Sequence, residues 1–233
     1  MFKNKWLLTF ALIFGLAFVL FIWFGNADFV YQVTREDGFI EYLTAFFYLI
    51  GVILGILTLI NNKKLMFFAV LWTILCFVFL GEETSWFQRV FNYSVPAVEG
   101  VNAQKEFNFH NLQIFKGEDL FADGKIRKEG IINFLKSTQN IYRIGFFGYF
   151  LILPLLTFNK WIKKLLVKLD YFKPNVNFII VLLIVLVLSF VLAIMSEEHV
   201  KMAMAETREM LYAFFIFLYL GIYYYSPRKT DLS

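Results

Sequence analysis

The chain reads as long apolar runs separated by polar segments. The runs lie at about Trp6–Phe24, Tyr42–Ile60, Leu65–Leu80, Ile144–Phe158, Phe178–Met195 and Met210–Tyr225. Most approach the roughly 20 residues that carry an α-helix across about 30 Å of hydrocarbon. The third and fourth are short and reach full length only by drawing in polar neighbours, Glu82 and Glu83 in one case and Arg143 in the other. The pattern predicts an all-α fold, a polytopic transmembrane bundle of about six spans forming a single integral membrane domain over residues 1–233. Pro154 is expected to kink the fourth span, because proline lacks a backbone donor and crowds the preceding turn.

Composition agrees. With 60% of its residues hydrophobic and 31 of them phenylalanine, the chain carries more apolar surface than a soluble fold of 233 residues hides. A single cysteine, Cys76, excludes an internal disulfide and a multi-thiolate metal site, and its place in an apolar run predicts a packing role. Lys3 and Lys5 before the first run, and Gly25-Asn26-Ala27 after it, have the layout of a signal peptide. The run exceeds the usual h-region, so a retained anchor is expected.

Lysine and arginine orient the spans. Lys3, Lys5, Lys63, Lys64, Arg228 and Lys229 fall on one face, together with Lys160, Lys163, Lys164, Lys168 and Lys173. That face is predicted to be cytoplasmic, with both termini on it. Within 159–174, Lys160, Lys164 and Lys168 share a helical stripe, with Trp161, Leu165, Leu166 and Leu169 off it. This reads as an amphipathic helix lying on anionic lipids, although a plain positive-inside loop accounts for the charges equally well. Apart from the bilayer no partner is implied, and nothing points to nucleic acid.

The opposite side comprises 25–37, the long segment 81–143 and 196–207. The second half of the long segment, Lys125 to Arg143, is expected to be a helix running into the fourth span. Three acidic clusters lie at these span ends, where charge is expensive and therefore informative. The first is Glu36-Asp37 with Glu41; Asp37, Glu41, Thr44, Tyr48, Gly51 and Gly55 recur at spacings of three and four and should face other helices. The second is Gly81-Glu82-Glu83-Thr84-Ser85-Trp86-Phe87-Gln88-Arg89, with Glu82, Trp86 and Arg89 expected on one helical face. A polar run follows, holding Asn102, Gln104, Glu106, Asn108, His110 and Asn111. The third is Glu197-Glu198-His199, with Glu206, Arg208 and Glu209 entering the last span.

Adjacent carboxylates at a helix C-terminus repel each other and oppose the helix dipole, so they need a proton, a counter-ion or a metal. Both histidines and both Glu-Glu pairs fall on the same side. Glu82, His110 and His199 are therefore candidate ligands for a divalent metal such as zinc, with Glu83 and Glu206 as catalytic acid–base groups. Arg89, Gln104 and Asn111 are candidate substrate-binding groups. This describes a membrane-embedded hydrolase or transferase at the extracytoplasmic side. In the competing reading the same residues form a hydrogen-bonded plug in a non-enzymatic lipid- or solute-binding, transport or scaffold subunit.

The combination GEExxWxQR at 81–89 with NxQxExNxHN at 102–111 resembles motif sets of uncharacterised bacterial multi-pass membrane proteins, a resemblance that implies the bacterial inner membrane and no particular activity. Glu82-Glu83 followed by an arginine also resembles the first motif of CAAX-processing-type intramembrane proteases. There the arginine stands four residues after the second glutamate, whereas Arg89 stands six after Glu83, and the position four before His110 is Glu106 rather than phenylalanine.

Overall fold

The computed structural model describes residues 2–35, 37–61, 66–102, 105–109, 112, 118–121, 124–127 and 138–225. It is almost wholly helical. The helices are α1 (Phe2–Phe24), α2 (Ala27–Thr34), α3 (Phe39–Asn61), α4 (Phe67–Glu83), the single turns α5 (Gln88–Phe91) and α6 (Pro96–Glu99), then α7 (Thr138–Phe147), α8 (Leu153–Leu156), α9 (Lys160–Lys168), α10 (Val176–Ile194) and α11 (Glu198–Tyr225). Among the described residues, three stretches are long and apolar enough to cross a membrane: Lys5–Phe24, Ala27–Asn61 and Val176–Ile194.

The chain divides into two compact units, one made of Met1–Phe77 with Leu156–Ser233 and the other of Val78–Leu155. In the first unit α11 is the central element. From Met210 to Ile216 every residue is buried, as expected of a helix that is apolar all round. Helix α3 packs on it in the same direction: Phe47 meets Phe214 and Phe217, Gly51 approaches Leu220, and Asn61 Nδ2 donates to the Tyr224 hydroxyl at 3.1 Å. Helix α10 runs the opposite way, with Phe178 against Phe215 and Tyr219 and Ser189 at the level of Arg208. Helix α1 completes the packing through Phe10 and Phe14 against Phe214 and through Gly15, which lies against Val185.

The outward faces are apolar at helical spacing. Phe46, Leu49, Ile53, Ile56 and Ile60 line one side of α3, and Ile180, Ile184, Val187, Val191 and Ile194 one side of α10, all exposed. Water would select polar residues there, whereas hydrocarbon accepts these. Hydroxyls within the helices are satisfied locally, as where Thr44, Thr58, Thr73 and Thr207 each donate to the carbonyl four residues back.

Of the expected stripe, Thr44, Tyr48, Gly51 and Gly55 are buried and face inward, Glu41 is half-buried, and Asp37 precedes α3 and is exposed. A Cβ at Gly51 would stand 2.8 Å from Cys76 Sγ, and one at Gly55 would stand 3.3 Å from the Thr73 Cα, so the glycine pair is the surface on which α4 lies. Cys76 is fully buried and packs there, as its position in an apolar run implies.

The second unit departs from the sequence reading at Lys125. The expected helix from Lys125 to Arg143 does not begin at Lys125. Glu118–Phe121 and Gly124–Arg127 pair as an antiparallel hairpin in which Phe121 faces Gly124, and α7 spans Thr138–Phe147. Near Pro154 the helix is a π-helical segment at Gly148–Ile152 leading into α8. The extra residue per turn accommodates the carbonyl that proline leaves unpaired.

Candidate functional site

Helix α4 stops at Glu83 rather than carrying Glu82, Trp86 and Arg89 along one face. Thr84 Oγ1 turns back to the Leu80 carbonyl at 2.8 Å, and Ser85, Trp86 and Phe87 follow with φ of 47°, 53° and 62°. Successive left-handed residues without glycine reverse the chain at a steric cost, so surrounding contacts must hold them. The contacts are visible. Trp86 folds back over Gly81, where any Cβ would meet the indole ring at 2.8 Å. The Tyr93 hydroxyl donates to the Trp86 carbonyl at 2.9 Å.

Side chains of the two motif segments then tie the turn to the following loop. The Trp86 indole Nε1 donates to one oxygen of Glu82 at 2.7 Å, and the Phe109 amide donates to the other at 2.8 Å. Gln88 accepts from the Phe107 amide through Oε1 and donates to Glu99 through Nε2, both at 2.7 Å. The Ser85 hydroxyl donates to Glu106 and accepts from Asn108 Nδ2 at 3.2 Å. Asn102 Nδ2 donates to the carbonyl and the side-chain oxygen of Asn108, at 2.7 and 2.8 Å. Phe107 and Phe109 pack edge-on to each other, with Tyr93 and Trp86 beyond them.

Glu99 accepts three hydrogen bonds in this lattice. The Val95 amide and the Ser94 hydroxyl donate to it at 2.9 Å each, and with Gln88 they hold its carboxyl below the ordinary carboxylate range.

The predicted residues fare differently. Glu82 sits at the centre of the lattice as an acceptor of two N–H groups. Glu83 is half-buried at the last position of α4. Arg89 lies in α5, with its side chain outside the described residues, as are Gln104, His110 and Asn111 in their entirety. His199 and Glu206 belong to the other unit, both exposed on α11, with His199 Nδ1 3.5 Å from Glu197 Oε2. Among the described residues no three His, Cys, Asp or Glu side chains converge in a group that could hold a metal ion.

Sequence reasoning missed Ser85 and Glu99 as members of this lattice, and the degree of burial of Arg208. Arg208 is 7% exposed, its guanidinium 4.4 Å from the centroid of Phe190 and its Nη1 3.5 Å from the Ser189 carbonyl. Its signal was available: Arg208 stands two residues before the run that begins at Met210, where a charge is expensive unless it faces protein.

No family model matches this chain, and no curated protein or solved structure matches it.

Proposed function

We propose that this chain is a non-enzymatic binding or scaffold subunit of a cell membrane, crossing the bilayer six times with both termini in the cytoplasm. The bacterial inner membrane is the setting its motif resemblance favours. Six alternating spans require the second and sixth to run parallel and the fifth to oppose them, which is how α3, α11 and α10 pack. The C-terminal ends of α3 and α11 meet at Asn61 and Tyr224. The lysine-rich α9 joins that end, because the Tyr219 hydroxyl donates to the Phe172 carbonyl just beyond it, at 2.6 Å.

The observation that carries the non-enzymatic reading is the double acceptance by Glu82. A carboxylate held by an indole N–H and an amide N–H from a segment 27 residues away acts as a cross-link. It serves to preorganise the loop surface around it rather than to present a reactive group.

Metal analysis of protein purified without strong chelators tests this. The expected result is no stoichiometric metal and an unchanged melting temperature on chelation. Bound metal, with a chelator-induced loss of stability that Glu83→Gln or His199→Ala abolishes, would overturn the proposal in favour of the metal-dependent hydrolase or transferase.

A further inference from the structure

The five lysines between Asn159 and Pro174 are not equivalent in the folded chain. Lys173 Nζ donates to Thr157 Oγ1 at 2.9 Å and lies 5.4 Å from the centroid of Phe158, so it closes the segment on itself. Lys163 is half-buried. Lys160, Lys164 and Lys168 are exposed and follow one another at intervals of four along α9. They form a single cationic row, without an acid in the helix.

Helix α9 is a built element rather than a solvated loop. Asn159 Oδ1 caps it by accepting from the amides of Trp161 and Ile162, at 2.9 and 3.3 Å. Leu166 is 5% exposed, and Tyr171 just beyond the helix is fully buried against Phe68, so the segment is pinned to the first unit. Yet Trp161 is 81% exposed, Phe158 83% and Leu165 55%. Trp161 and Leu165 stand four apart, one turn along the same flank, beside the lysine row. Lys164 Nζ lies 5.7 Å from the Trp161 ring. A pinned helix that leaves its largest apolar groups open beside a cationic row is complementary to one environment, an acyl boundary beneath anionic headgroups.

We propose that α9 is an anionic-phospholipid binding surface, in which Trp161, Phe158 and Leu165 enter the headgroup–acyl boundary and Lys160, Lys164 and Lys168 contact lipid phosphates. The occupant is the leaflet in which the protein sits. The polyanionic surface supplies the charge complement to the lysine row. This holds whatever role the lattice around Glu82 plays.

The test uses the full chain reconstituted in phosphatidylcholine bilayers with a fixed fraction of brominated lipid, either phosphatidylglycerol or phosphatidylcholine. The fluorescence difference between wild type and Trp161→Phe isolates Trp161. Brominated phosphatidylglycerol is expected to quench it several-fold more strongly than brominated phosphatidylcholine. The variant with Lys160, Lys164 and Lys168 all changed to Gln should lose that preference. High salt should weaken it, as the Debye length shrinks to about 3 Å at 1 M. Equal quenching by the two lipids overturns the anionic preference. No quenching by either, with Trp161 open to aqueous acrylamide, overturns membrane contact. No quenching with Trp161 shielded from acrylamide overturns it too, because protein then covers the helix. The wild-type comparison stands even if the triple variant folds poorly.

Discussion

Gly51 lies so close to Cys76 that a single added methyl carbon would stand 2.8 Å from the thiol sulfur. Two turns of α3 thus have no side chain where α4 crosses them, and the close approach replaces the hydrophobic driving force that lipid does not supply between helices. Gly55, one turn on, meets Thr73 in the same way. Gly51→Leu or Gly55→Leu should lower thermal stability in detergent by about 1–3 kcal/mol, the usual cost of overpacking. Wild-type melting of either variant would place this stripe against lipid instead.

The bond between Glu82 and Trp86 should be energetically coupled to the turn it closes. Glu82→Gln and Trp86→Phe are each expected to destabilise the protein. Their double variant should fall short of the sum by roughly 0.5–3 kcal/mol, the range for residues in one hydrogen-bond network. Strict additivity in thermal or denaturant unfolding would show that the two side chains do not act together.

Acid should loosen the loop at Glu99. Its carboxyl is held low by the Val95 amide, Ser94 and Gln88, so its contribution is complete above the unfolded value of about 4.3 and is lost as pH falls through the lower folded value. Hydrogen exchange at Val95–Gly100, corrected for intrinsic rates, should therefore rise in acid for wild type. Glu99→Gln should expose the same amides already at neutral pH. An unchanged neutral profile in that variant would remove the carboxylate from the lattice.

Arg208 should be among the least replaceable polar residues of the first unit. Arg208→Ala gives up the Phe190 face and the Ser189 carbonyl, and is expected to cost on the order of 3 kcal/mol. Arg208→Lys keeps the charge but not the flat stacking group, and should fall between. Equal stability of all three proteins by melting would mean that the guanidinium contributes nothing there.

Six spans with cytoplasmic termini require the hairpin around Lys125 to be extracytoplasmic. Lys125→Cys, with Cys76 changed to Ala, should react with membrane-impermeant thiol reagents in intact cells, while Asn62→Cys and Ser233→Cys should react only after permeabilisation. Labelling of position 125 from the cytoplasmic side alone would invert or break this topology.

The helical class and the inward glycine stripe were legible before any coordinates, because bilayer thickness and the 3.6-residue repeat act on neighbours in sequence. The lysine row of α9 was legible for the same reason. Centrality was not: α11 carries charge at its start, yet it is the helix the others surround, since burial depends on which faces meet. Nor was the site. In a string of polar letters nothing names the partners of Glu82, which accepts from Trp86 and Phe109 once the chain reverses at Ser85–Phe87. That reversal runs against local preference, so only tertiary contacts hold it, and the partners it selects for each carboxylate lie beyond the reach of spacing.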